Sequence, residues 1–247
     1  MLREMSLLLP ALLLASGAIG WAQSPFETDT IKTSSGDLTI TFIGHATLMF
    51  RHGGLVIHVD PVSQYADYSQ QPKADIILVT HDHGDHLDPK AIAAIRTPST
   101  VLIGTAKCVQ QVAGIAAMAN GESRDVRGLV HVEAVPAYNI VNKRPTGEPF
   151  HAKGDGNGYI ITFGDKRVYV AGDTENTPEV KALKKIDVAF LPMNLPYTMT
   201  PEMVADAAKA FAPKILYPYH YGNTDPLQLA KLLSGTPGIE VRIRNLK

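Results

Sequence analysis

Residues 81–86 read His-Asp-His-Gly-Asp-His. Three imidazoles and two carboxylates in six positions offer the nitrogen and oxygen donors that divalent metals take. A packed core cannot hold this cluster, since each group would need a buried partner. It follows directly on Ile76–Thr80, a continuous apolar run of the kind found in strands buried on both faces. In extended chain His81 and His83 face the same side. Gly84 permits a tight bend, and Asp85 and His86 then project from the turn before the next helix. Two imidazoles can hold one metal while Asp85 and His86 hold a second close by. Such a pair suits metal-assisted hydrolysis, because bound metal lowers the pKa of water to about 7 and polarises a substrate oxygen. The sole cysteine, Cys108, excludes a Cys-rich zinc site and an intrachain disulfide. It reads as a small buried hydrophobe rather than a nucleophile.

The elements that position these groups are short. Leu38–Ile43, Leu55–Val59, Ile76–Thr80, Val101–Ile103, Leu129–Val135, Val188–Leu191, Ile215–Tyr219 and Glu240–Ile243 read as strands. Tyr159–Phe163 and Arg167–Ala171 read as a hairpin around Gly164-Asp165, and Gly53-Gly54 reads as a hairpin turn. Helices are expected from Pro89, capped by Asp88, through Ile95, and over Ala106–Ala119, Pro178–Lys184, Pro201–Ala210 and Pro226–Leu233. Ser24–Gly36 reads as an irregular polar lead-in and Tyr138–Gly158 as a long loop. Strands in runs, then alternating with helices, suit sheets covered by helices within one domain. Five strands run into His or Asp: Gly44-His45, Asp60, His81, Gly172-Asp173 and His220. Ligands of layered α/β folds bind beyond such strand ends.

HDHGDH resembles the HxHxDH signature of the metallo-β-lactamase fold superfamily. Asp173 in AGDT and His220 in YPYHYG resemble its later ligand motifs, and Asp60 in HVDP its early strand-end Asp. The resemblance covers 37–247. In texture the chain looks most like the branch holding ascorbate-6-phosphate lactonase and the phospholipase D that cleaves N-acyl phosphatidylethanolamines. The resemblance implies an α+β fold, a four-layer αββα sandwich. It implies that His81 and His83 bind a first metal, that Asp85, His86 and His220 bind a second, and that Asp173 bridges them. The superfamily's third His for the first metal is missing. The matching stretch is VPAYN, with Tyr138 or Asn139 in its place. His151, in the long loop, is the favoured substitute; His131 is a weaker one because it falls inside the preceding strand. The departure leaves the number of metals open between one and two.

Zinc suits such a site, with two ions expected, and manganese or iron also accept this donor set. Asp85 is the candidate catalytic group, holding the hydroxide or accepting its proton. Asp60 and His45 are candidates to orient the imidazoles from behind. His52 and His58 read as surface residues of strands or hairpins. Tyr138 and Tyr197 are candidate donors to a developing oxyanion, and Lys153 and Arg144 could meet an anionic substrate group.

The 247 residues carry 23 Lys+Arg against 24 Asp+Glu and 45% hydrophobic residues, which excludes default disorder and disfavours a nucleic-acid binder. Residues 1–22 have the three-part pattern of a secretory signal peptide: Arg3, an apolar run over Leu7–Ile19, and Gly20 and Ala22 at a small-x-small site. Cleavage after Ala22 would leave a single metallo-β-lactamase-like domain over 23–247, periplasmic or secreted, with no membrane anchor. The expected function is an exported metal-dependent hydrolase using a metal-bound hydroxide on small esters, lactones or phosphodiesters. The competing readings are a β-lactam hydrolase and a non-catalytic extracytoplasmic metal-binding module. Substrate and oligomeric state are not legible.

Overall fold

A computed structural model describes residues 25–246. The expected leader and its cleavage site lie outside these residues. The first sheet contains β1 (Thr28–Thr33), β2 (Gly36–Gly44), β3 (Thr47–His52), β4 (Leu55–Val59), β5 (Ile76–Leu78), β6 (Val101–Gly104) and β7 (Ala116–Ala117), in that spatial order. The second contains β8 (Ser123–Val126), β9 (Val130–Ala137), β10 (Gly156–Phe163), β11 (Lys166–Val170), β12 (Val188–Pro192), β13 (Ile215–Tyr219) and β14 (Glu240–Val241), also in sequence order. Each sheet opens as an antiparallel meander of four strands and continues as parallel strands, from β4 in one and β11 in the other. The switch follows from the connections. Gly53-Gly54 and Gly164-Asp165 turn tight hairpins, whereas a parallel neighbour needs a longer crossover.

The helices α1 (Pro89–Ile95), α2 (Ala106–Gln111), α3 (Pro178–Lys181), α4 (Pro201–Phe211) and α5 (Leu227–Leu232) lie on the outer faces. Strand β5 shows why both of its faces are apolar. Ile76 and Leu78 point into the core between the sheets, while Ile77 and the following Val79 pack with Leu87, Ala91 and Ile92 under α1. Between the sheets, Phe42 of β2 meets Tyr217 of β13 at 5.0 Å and Phe50 of β3 meets Phe163 of β10 at 5.9 Å between ring centroids. Phe211 of α4 meets Tyr169 of β11 edge-on at 6.2 Å. The layers are helix, sheet, sheet, helix: the αββα sandwich.

Several expectations change. Thr28–Thr33, expected within an irregular lead-in, is the edge strand β1, paired with β2 along its whole length. Its polar residues face outward and Ile31 inward. The helix expected over Ala106–Ala119 stops at Gln111. Gly114 then takes φ +84°, with the Arg96 guanidinium over it, and the chain turns into β7. The long loop is shorter than expected, since Gly156–Gly158 already pairs with β9. His52 and His58 are buried, not on the surface. His52 Nε2 lies 3.0 Å from Ser35 Oγ, and His58 Nε2 donates to the Pro72 carbonyl at 3.2 Å.

Candidate metal centre

The strand ends converge at one edge of the sandwich. Three of them stop by turning into the left-handed region, which cuts the strand and throws the side chain toward the gap between sheets: His45 (φ 55°), Asp60 (φ 46°) and His220 (φ 45°). His220 N–H donates to the His45 carbonyl at 3.1 Å, joining the two sheets at this point. Gly172, before Asp173, has φ +64°, and a Cβ there would lie 2.8 Å from the Asn157 carbonyl. Only glycine lets Asp173 leave β11 at this angle.

The ligand atoms fall into three overlapping groups, each within 4.8 Å: His81, His83 and His151; His45, Asp85, His86 and His220; and His81, His86 and Asp173. Asp173 stands between the first two. Its Oδ1 is 3.3 Å from His86 Nε2 and 3.4 Å from His220 Nε2, and its Oδ2 is 3.3 Å from His151 Nε2. Asp85 Oδ2 faces His45 Nε2 at 3.2 Å, His220 Nε2 at 3.5 Å and His86 Nε2 at 3.8 Å.

Hydrogen bonds behind the centre set the tautomers. Buried Asp60 accepts from Thr80 N–H (2.8 Å), Thr80 O–H (2.7 Å) and His86 Nδ1–H (2.8 Å). Thr80 thus gives its one hydroxyl proton to Asp60, so its oxygen accepts from His81 Nδ1–H at 3.0 Å. His86 and His81 therefore both turn Nε2 inward. His151 is fixed from another side. Asn139 Nδ2 donates to Glu175 Oε1 (3.1 Å) and the Tyr197 carbonyl (2.9 Å), which leaves Oδ1 to accept from His151 Nδ1–H at 2.8 Å. Glu175, fully buried, also accepts the backbone N–H groups of Ile140, Val141 and Asn142 at 2.7–2.8 Å. It clamps the start of the loop that carries His151. Neither Glu175 nor Asn194, which lines the cleft, was singled out by its sequence context; both act through folds of the chain around them.

The donor set fits a metal. His81 Nε2, His86 Nε2, His220 Nε2 and Asp173 Oδ1 are buried and have no hydrogen-bond partner, a costly state for polar atoms unless an ion accepts their lone pairs. Burial lowers the His81 and His151 imidazoles, the latter to about 4, so both are neutral at pH 7 as ligands must be. For His86 burial acts the same way, but Asp173 and Asp60 outweigh it and raise its pKa. Burial opposes ionisation of Asp85 and Asp173 too. The imidazoles of His220 and His45 that face it overcome it at Asp85, and the neighbouring His220 and His86 overcome it at Asp173, so both carboxyls sit below the usual range.

Other candidate residues lie elsewhere. The Tyr138 hydroxyl donates to Glu179 at 2.8 Å with Lys153 over its ring, and Tyr138 lines neither cleft. Lys153 pairs with Glu179, and His131 pairs with Asp125 on β8 and β9. Tyr197 and Arg144 do line the clefts beside the centre. A cleft of about 360 Å³ contains His83, Asp85, His151, Asp173, Asn194, Tyr197 and His220, and one of about 450 Å³ contains His81, His83 and His151; Arg144 and Phe150 line both. His45, expected behind the ligands, lies among them.

The family model described as Beta-lactamase superfamily domain matches residues 39–220. A UPF0173 metal-dependent hydrolase of Methanopyrus kandleri is 31% identical over 208 residues, 77% of this chain and 87% of the relative. One from Symbiobacterium thermophilum is 32% identical over 221 residues, 84% and 92% of the two chains. Among solved structures, a candidate metal-dependent hydrolase from Parabacteroides distasonis is 51% identical with TM-score 0.86, covering 90% of this chain and all (100%) of that one. A metallo-hydrolase from Ignicoccus hospitalis shares the fold at 22% identity and TM-score 0.69, covering 83% of this chain and 94% of that one. With Asp173 set between two histidine groups, and these relatives matched over most of their length, the chain belongs to the beta-lactamase superfamily and is a metal-dependent hydrolase of the metallo-β-lactamase fold.

Proposed function

We propose that the protein is an exported, dinuclear zinc hydrolase of small esters, lactones or phosphodiesters, acting on a small-molecule substrate after cleavage at Ala22. The observation that carries the dinuclear reading is Asp173, whose two oxygens face different histidine groups at 3.3–3.4 Å. His81, His83 and His151 would hold one ion, and Asp85, His86 and His220 the other, with His45 beside the second. The nitrogen-rich set of imidazoles suits zinc, and manganese or iron fit the same donors. Bound divalent ions there supply Lewis acidity, polarising the scissile carbonyl or phosphoryl oxygen and lowering the pKa of water.

The chain's own groups do the rest. Asp85 has Oδ2 engaged by imidazoles, and Oδ1 makes no hydrogen bond among the described residues. With Oδ2 turned to the imidazoles, Asp85 is placed to orient the attacking water by accepting a hydrogen bond from it at Oδ1. Tyr197 and Asn194 line the cleft beside it and offer O–H and N–H donors to the oxygen that gains charge. Phe150 and Tyr197, edge-on at 5.1 Å, form one wall of this cleft.

The test is metal content of protein purified without chelators. About two ions per chain are expected for a two-metal centre, falling toward one in His151→Ala. One ion or fewer, not restored by dialysis against zinc, would overturn the dinuclear reading. Metal-dependent hydrolysis of p-nitrophenyl esters or bis(p-nitrophenyl) phosphate should vanish in His83→Ala.

A further inference from the structure

Both clefts share His83, His151, Arg144 and Phe150. The two histidines belong to the centre; the other two form its outer wall. The Arg144 guanidinium lies over the Phe150 ring, 5.2 Å from its centroid, and Nη2 donates to the Phe150 carbonyl at 3.3 Å. Phe150 in turn meets Tyr197 edge-on at 5.1 Å. The backbone beneath is a closed turn: Arg144 N–H donates to the Glu148 carbonyl at 2.7 Å, Gly147 N–H donates to the Arg144 carbonyl at 2.9 Å, and Lys143 bridges Pro149. The guanidinium is thus placed by both its ring contact and its loop.

Its charge is unspent. Neighbouring cations are neutralised, Lys107 by Asp155 at 2.6 Å and Lys153 by Glu179 at 2.5 Å. Arg144 makes no ion pair among the described residues, and one carbonyl takes only one of its five N–H donors. A permanently charged planar fork, held 5.2 Å from an aromatic ring centroid at the junction of two clefts, matches the geometry of a carboxylate or phosphate group.

We propose that Arg144, backed by Phe150, is an anion subsite that holds a carboxylate or phosphate group of the substrate away from the bond broken at the centre. The substrate is then an ester or lactone with a remote negative group. The word substrate rests on the hydrolase reading, whereas the subsite itself is open to a binding test.

The test is calorimetric titration of the metal-loaded protein with butyrate, glutarate, adipate and 4-phosphonobutyrate. One carboxylate can reach the centre in each, and only the last three carry a second anionic group. At least one of them should bind about tenfold tighter than butyrate, as a charge-assisted bidentate contact provides. The glutarate and adipate arms against the phosphonate arm tell carboxylate from phosphate preference. Arg144→Gln should erase the difference, and Arg144→Lys should keep part of it, as a point charge without the fork. Equal binding of butyrate and all three dianions, or an unchanged difference in Arg144→Gln, overturns the subsite. In parallel, the ratio of kcat/KM for mono-p-nitrophenyl glutarate over p-nitrophenyl butyrate should collapse in Arg144→Gln. Arg144-dependent binding without hydrolysis of either ester would sink the ester-hydrolase reading and leave the subsite standing. Hydrolysis of both esters with no Arg144-dependent preference would sink the subsite alone.

Discussion

Asn139 Oδ1 accepts two hydrogen bonds from one residue, the backbone N–H and the Nδ1–H of His151, each at 2.8 Å. The Asn139 side chain thus holds the His151 imidazole in place. The His151 Nε2 lone pair is thereby aimed at His83 Nδ1, 3.3 Å away, and at Asp173.

This relationship predicts that Asn139→Ala weakens metal binding while His151 is still present. Losing a partner that orients a ligating histidine costs about 10- to 100-fold in metal affinity. Competition against a chromogenic chelator would read this directly. In the two-ion centre proposed above, one ion should become easier to remove and the other should not. Equal weakening of both, or none, would show that Asn139 does not orient His151.

Asp60 gives a second prediction. Its φ of 46° is tolerated by asparagine, so Asp60→Asn keeps the backbone and removes only the charge and an acceptor. With one acceptor oxygen left for Thr80 N–H, Thr80 O–H and His86 Nδ1–H, the variant should lose roughly 1–3 kcal/mol of stability, the cost of a buried unsatisfied group. Urea unfolding of the metal-free protein measures this apart from metal loss.

Stability should also depend on pH through His58. Burial pushes its imidazole down to about 4, and its Nε2–H donates to the Pro72 carbonyl. The unfolded chain takes up a proton near pH 6.5 while the folded chain stays neutral until about 4, so stability falls as pH falls through that window. The loss approaches roughly 3 kcal/mol at its lower end. His58→Gln keeps an N–H donor and does not titrate. The stability gap between wild type and variant should shift by that amount between pH 7 and pH 4, and a constant gap would refute the assignment.

Gly172→Ala should be among the more damaging small substitutions. The backbone at φ +64° disfavours any side chain, and the added Cβ would press on the Asn157 carbonyl at 2.8 Å and on Thr80 Cβ at 3.1 Å. A loss of about 2–4 kcal/mol is expected from strain and displacement together. Because Asp173 follows, metal affinity should drop as well. Thermal unfolding with and without zinc separates the two effects.

Much of this was legible from residue order. HDHGDH, AGDT and the strand-end His220 carry their chemistry in residue type and local spacing, because a strand followed by a glycine turn projects its next side chains in a set direction. The apolar run Ile76–Thr80, which holds β5, is equally local, since apolar continuity marks a strand covered on both faces. Strand β1 was not legible: Thr28–Thr33 is polar at most positions and becomes a strand only by pairing with β2. Helix α2 shows the reverse, an Ala-rich stretch that stops at Gln111 because the sheet claims Ala116–Ala117.

Residue types and short-range spacing are sufficient to specify the metal chemistry and the family, since ligand atoms are chosen by their donors and a motif of six residues holds most of them. Folding assigned the partners. That His151 rather than Tyr138 or His131 joins His81 and His83 depends on a loop closing over twelve residues onto Asn139, and on Glu175 gripping that loop from the strand end of Asp173. That Tyr138 faces Glu179 while Arg144 faces the clefts is decided by contacts between segments far apart in the chain. Such contacts arise from burial and hydrogen-bond satisfaction across the assembled layers, and neither is encoded in the spacing of neighbouring residues.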